Sequence, residues 1–80
     1  MKYVYLLQSL SFPSKHYVGI TSTLNKRFAD HNAGKSPHTS KYKPWKLVAA
    51  IRFADNARAT SFEKYLKSGS GRAFARRHFW

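Results

Sequence analysis

Two tyrosine-centred triplets, Tyr3-Val4-Tyr5 and Tyr17-Val18-Gly19, stand either side of residues 6–16, and Arg27 and His31 follow four positions apart. Glu63 comes later, in a chain whose only other acids are Asp30 and Asp55. Hydrolysis of a phosphodiester requires a base for the attacking water, positive charge on the developing pentavalent phosphate, and usually a metal ion near the leaving oxygen. A two-metal site needs clustered carboxylates, which three acids so widely separated do not easily supply. If this chain cuts, it uses a single carboxylate-held ion.

The elements that must position these groups can be read from periodicity. Residues 2–8 alternate as a strand, with Tyr3, Tyr5 and Leu7 on one face and Val4 and Leu6 on the other. Ser11, Pro13 and Ser14 make a turn, and a second strand over about 16–20 returns antiparallel, bringing the triplets side by side. Gly19, without a Cβ, leaves room for another group to approach the backbone. Thr21, Ser22 and Thr23 offer N-cap oxygens to a helix over about 23–33, with Leu24 and Phe28 facing the core and Asn32 and Gly34 marking its end. On that helix Arg27 and His31 form a polar stripe that is no salt bridge at neutral pH.

Residues 34–44 read as a basic loop carrying Lys35, His38, Lys41 and Lys43. Trp45 to Phe53 reads as a long strand with Leu47, Ala49, Ile51 and Phe53 on one face and Val48 and Ala50 on the other, and so as a well-covered one. Asp55 can cap a helix over about 56–68 whose Ala59, Phe62 and Leu66 make the apolar stripe, with Glu63 beside it. Gly69-Ser70-Gly71 reads as a break before a short basic helix over 72–79, with Phe74 and Phe79 turned inward.

The triplets, Arg27 and His31 on the following helix, and Glu63 on a later one resemble the GIY-YIG nuclease domain in order and approximate spacing across nearly the whole chain. The likeness is strongest to small stand-alone bacterial members related to the N-terminal nuclease module of the excision-repair subunit UvrC. That resemblance implies an α+β fold, a small three-stranded antiparallel sheet flanked by helices, in one domain spanning residues 1–80. It also implies that Glu63 holds one Mg2+ or Mn2+ ion, that Arg27 stabilises the phosphate, and that Tyr17 activates water while Tyr5 and His31 position it or share the proton. Members often carry a lysine directly after the second triplet, where this chain has Ile20, and an asparagine after the metal-binding glutamate, which this chain lacks.

Composition points the same way. Fifteen Lys and Arg against three acids give a formal charge of +12, spread along the chain, which suits a polyanionic partner. Six Phe, five Tyr and two Trp are interleaved with those charges and can stack on unpaired bases. The partner is therefore expected to be DNA, with RNA the second candidate, contacted through Lys35, Lys41, Lys43, Arg72, Arg76 and Arg77. No long amphipathic helix supports membrane binding. With no cysteine there is neither a disulfide nor a thiolate site, which fits a reducing, cytoplasmic setting. A chain of this length buries only about 60% of its unfolded surface, so one small core is expected.

Each feature also has a plainer meaning. Tyrosine is common in strands, and Glu63 can simply pair with Lys67 at i, i+4. The leading expectation is a metal-dependent DNA endonuclease that acts on single-stranded or branched DNA. The alternatives are an inert nucleic-acid-binding module of the same fold and an adaptor for acidic proteins. Glu63 separates them, because a carboxylate costs affinity for a polyanion and only the enzyme has a use for it.

Overall fold

Lys2–Ser9 forms the central strand, β1, with Val4, Leu6, Tyr5 and Leu7 each 1% exposed or less. A strand apolar on both sides must be covered on both sides. The computed structural model, which describes residues 1–80, places β2 (His16–Thr21) and β3 (Trp45–Phe53) antiparallel to β1 in the order β2-β1-β3. Three helices, α1 (Leu24–Asn32), α2 (Asn56–Leu66) and α3 (Gly69–His78), and a short 3-10 turn (Ser40–Tyr42) complete an α+β fold.

The two faces of the sheet have separate cores. Val4 and Leu6 pack with Ala59 and Leu66 of α2 and Ala75 of α3, joined by Val18, Ile20, Ile51, Phe62, Phe74 and Phe79. Tyr5 and Leu7 pack with Trp45, and Tyr17, Leu24, Phe28 and Tyr42 close over them. Thus α2 and α3 cover one face, while α1 and the 3-10 turn cover the other. No helix is long and apolar enough to cross a membrane.

Several local features depart from the expected pattern. β3 is an edge strand, not a covered one, and Lys46, Leu47, Ala50 and Arg52 are exposed along it. Its register passes from Leu6↔Ala49 to Leu7↔Leu47, so Val48 is an extra residue. Such a bulge inverts the side-chain alternation. Leu47 therefore leaves the stripe of Ala49, Ile51 and Phe53 and is 38% exposed.

At the start of α1, Thr23 makes no side-chain cap; the Thr21 hydroxyl instead accepts from the Thr23 amide at 3.1 Å. The end of α1 follows the expected signals. Gly34 has φ +78°, and its amide and that of Lys35 return to the carbonyls of His31 and Asp30 at 3.3 and 3.0 Å.

Asp55 caps α2 as expected, accepting from the Ala57 and Arg58 amides. The Gly-Ser-Gly segment, by contrast, is the first turn of α3 and not a break. Ser68 caps that turn by accepting from the Gly71 amide at 3.2 Å. A Cβ at Gly71 would overlap the Tyr65 carbonyl, so glycine is needed for α3 to fold back against the end of α2. In sequence the two glycines read as a break between helices. Here one of them serves close packing.

Candidate active site

Antiparallel pairing sets Tyr5 opposite Gly19 and Leu7 opposite Tyr17. A Cβ built on Gly19 would overlap both Cζ and the hydroxyl of Tyr5. The missing Cβ is what allows the Tyr5 phenol to lie across β2, the close approach anticipated from the glycine in the second triplet. From that position the Tyr5 hydroxyl meets Nε2 of His31 at 2.9 Å, beneath α1. His31 is fully buried, and its Nδ1 lies 2.6 Å from the Thr39 hydroxyl. Tyr17 completes the cluster, its ring centroid 5.0 Å from His31 and 6.2 Å from Tyr5.

Burial controls the electrostatics here. It pushes the Tyr5 phenol up to about 12, and the nearby Arg27 guanidinium and Tyr17 only modify that shift. Arg27 sits beside the phenol without forming a hydrogen bond of regular geometry to it. A phenol shifted upward stays protonated and serves as a hydrogen-bond donor, which makes it a poor base. Burial likewise lowers His31, and the Arg27 charge lowers it further against the opposing pull of Asp30. His31 is thus a neutral imidazole at pH 7, donating through one ring nitrogen and accepting through the other. The Tyr17 hydroxyl lies near Tyr5 without forming a hydrogen bond of regular geometry to it, and the residue stays half-exposed at the mouth of the cluster.

Thr39 carried no sequence signal, since it lies in what reads as a solvated basic loop. The loop is in fact anchored. Thr39 is fully buried, its carbonyl accepts from the Trp45 indole at 2.9 Å, and Asn32 clamps the Trp45 backbone through Nδ2 and Oδ1. Only the serines and threonines in this segment could have hinted that it has a buried polar partner.

The carboxylates are distributed unevenly. Asp30 is held below the usual carboxylate range, first by the Lys26 ammonium at 3.2 Å, and also pairs with Lys35 at 3.7 Å. Asp55 is used as a cap. Glu63 is half-buried on α2 and pairs with Lys67 at 2.5 Å, the i, i+4 pair anticipated from sequence. Phe62 meets Phe53 of β3 at 5.6 Å, so Glu63, about 100° further round the helix, lies on the flank away from β3. No three His, Cys, Asp or Glu side chains cluster as a metal cage. The structure thus joins Tyr5, Tyr17, Arg27 and His31 on the α1 face, while Glu63 projects from the helix layer of the opposite face.

The six expected nucleic-acid contacts fall into two groups. Lys35, Lys41 and Lys43 surround the end of α1 and the 3-10 turn: Lys41 lies 5.8 Å over the Tyr42 ring and Lys43 lies against Gly34. Arg72, Arg76 and Arg77 are on α3, on the far face.

A family model described as the GIY-YIG catalytic domain matches residues 1–77. The chain belongs to the GIY-YIG family. Its Tyr5-His31 contact, Gly19 and Arg27 are therefore read within a nuclease-type domain, in a family generally dependent on divalent metal. It is also similar to UPF0213 proteins of bacteria. One, from Cupriavidus necator, is 36% identical over 76 residues, covering 90% of this chain and 80% of that protein. Another, from Streptococcus pneumoniae, is 36% identical over 66 residues, covering 81% of this chain and 65% of that protein. The chain thus spans less than two thirds of the streptococcal relative.

Proposed function

We propose that this protein is a divalent-metal-dependent endonuclease that hydrolyses DNA phosphodiester bonds, with single-stranded or branched DNA as its substrate. The observation that carries the reading is the buried Tyr5-His31-Thr39 chain of polar contacts behind the half-exposed Tyr17, with Arg27 alongside. A fold needs no such chain in its core. Buried polar groups are costly unless satisfied, and this set satisfies every buried member beside a half-exposed Tyr17.

In this reading Tyr17 orients the attacking water and takes its proton while releasing its own phenolic proton to solvent at the half-exposed mouth of the site, and Arg27 faces the phosphate as negative charge develops there. Tyr5, protonated, and His31, neutral, pack against the Tyr17 ring and fix its position. Glu63 is the residue that would hold the metal ion. Mg2+ commonly binds through one or two carboxylates together with substrate phosphate and water, so one carboxylate suits an ion shared with DNA. When bound, such an ion supplies positive charge near the leaving oxygen. Lys67, 50% exposed, has room to turn from Glu63 toward solvent or phosphate.

The Glu63-Lys67 pair also supports a second reading, an inert nucleic-acid-binding module, because it leaves the carboxylate already satisfied. Labelled single-stranded, duplex and flap DNA incubated with and without Mg2+ or Mn2+ decides between them. Cleavage confined to metal-containing lanes, and lost in Glu63→Gln while DNA binding stays equal or tightens, is the expected result. Cleavage unchanged in Glu63→Gln rules out the single-ion site, and binding with no cleavage under any condition favours the inert module.

A further inference from the structure

On the face away from Tyr5 and His31, a groove of about 560 Å3 opens between the start of β2, the end of α2 and α3. Lys15, Lys67, Arg72 and Arg76 line it, together with His16 and Trp80. The two rings are stacked, 3.9 Å between centroids and 4° from parallel. His16 is exposed and Trp80 half-buried, so the pair forms a flat platform reachable from solvent. Arg72 and Arg76, one helical turn apart on α3, form no ion pair; of the three acidic side chains, Asp30 and Asp55 are committed elsewhere and Glu63 is held by Lys67, itself a lining residue. The groove thus combines uncompensated guanidinium charge with an aromatic surface, and its volume lies in the range of small-ligand sites.

We propose that this groove holds one unpaired nucleotide of the substrate DNA, its base stacked on the His16-Trp80 pair and its phosphate held by Arg72 and Arg76. The inference rests on the nuclease reading for its substrate and extends it to substrate choice. β2 is an edge strand, and His16 and Tyr17 are consecutive residues pointing to opposite faces. A DNA strand crossing the free edge of β2 therefore has one nucleotide in the groove and a neighbouring phosphate toward Tyr17. A paired base is inaccessible for stacking, so the groove selects single-stranded or flapped DNA over duplex. An ordinary basic patch contacts phosphates and is indifferent to whether bases are present.

That difference supplies the test. Binding of the full chain to a fluorescein-labelled oligothymidylate, and to an abasic oligonucleotide of equal length and charge, is measured by anisotropy without divalent metal. The wild type prefers the thymidylate by on the order of tenfold to a hundredfold, and saturation quenches tryptophan emission from Trp80, since Trp45 is only 3% exposed. His16→Ala and Trp80→Ala each lose the preference, whereas Arg72→Gln combined with Arg76→Gln weakens both oligonucleotides alike. His16 is exposed, so its variant remains informative if Trp80→Ala unfolds. Equal affinity of the wild type for both oligonucleotides, or a preference that survives His16→Ala, overturns the proposal. A base preference without metal-dependent cleavage sinks the nuclease reading and leaves the groove standing, and cleavage without a base preference does the reverse.

Discussion

The two faces of the sheet use the same three strands for opposite purposes. Under α2 and α3 the packing is entirely apolar: Val4, Leu6, Ala59, Leu66 and Ala75 are buried, and aromatic rings fill the margin. Under α1 the central positions go to Tyr5 and His31, both buried and hydrogen-bonded to each other. Apolar contacts are non-directional and tolerate small repacking. A buried phenol-imidazole pair tolerates little, because removing either partner leaves the other group dry and unsatisfied. The first face is therefore expected to govern stability and the second to govern chemistry, although each depends on one glycine.

Those two glycines give the sharpest test of the division. A Cβ at Gly71 meets backbone of the preceding helix, which cannot step aside, so Gly71→Ala should cost about 3 kcal/mol, the upper end for overpacking. A Cβ at Gly19 meets the ring end of the Tyr5 side chain, not backbone, and the buried ring can yield only by giving up its hydrogen bond to His31. Gly19→Ala should keep the fold, at a cost of about 1–2 kcal/mol, and lose nearly all cleavage because the Tyr5-His31 hydrogen bond is broken. Thermal unfolding read alongside a cleavage gel checks both. A Gly19→Ala protein with normal cleavage would show that this hydrogen bond is incidental to the chemistry.

Within the α1 face the next largest effects separate the roles. Arg27→Ala should lower the cleavage rate on the order of 10²–10³, the scale of removing one transition-state charge stabiliser. Loss of binding alone would make it a phosphate contact. Tyr17→Phe removes only a hydroxyl that forms no hydrogen bond of regular geometry to Tyr5, so circular dichroism should be unchanged while cleavage disappears. Near-wild-type cleavage in Tyr17→Phe assigns the base elsewhere. Tyr5 is the weaker alternative, since its phenol is pushed up to about 12.

The basic residues sharpen the comparison more gently. Neutralising Lys35, Lys41 and Lys43 together should flatten the salt dependence of DNA binding by roughly 0.7–0.9 for each phosphate no longer neutralised, with little change in the chemical step. An unmoved slope would place the DNA path on the α3 side.

How much of this was legible in the sequence differs between the faces. Strand alternation and helical stripes marked the three strands and three α-helices to within a few residues, because apolar periodicity is a local property, whereas the 3-10 turn at Ser40–Tyr42 read as loop. The Tyr5, Tyr17, Arg27 and His31 grouping was legible too, through the spacing of the triplets and the i, i+4 helix pair. What escaped was non-local. The Val48 bulge depends on how β3 registers against β1, and nothing in residues 45–53 announces it. Gly71 read as a helix break because its packing partner, the Tyr65 carbonyl, is backbone and carries no sequence signal. Thr39 and the His16-Trp80 stack were invisible for the same reason: their partners are 8 and 64 positions away.

The smallest expected effect concerns protonation. In the folded protein His31 has its pKa lowered, chiefly by burial, below the ordinary value of about 6.5. The unfolded chain consequently binds a proton at His31 more readily than the folded one. Its contribution to stability is fully present above about pH 6.5 and is lost as pH falls from there through the folded-state pKa. Cleavage should follow the same direction. An imidazolium has no acceptor nitrogen for Tyr5, and it would place a second positive charge beside Arg27. Rates should thus be flat from about pH 8 to 7 and decline only below the ordinary histidine range, by a few fold per half unit at most for a single proton. NMR titration of the imidazole, run beside the pH–rate profile, checks this. If His31 titrates at or above its ordinary value, burial does not control it, and the neutral Tyr5-His31 pair that positions Tyr17 fails.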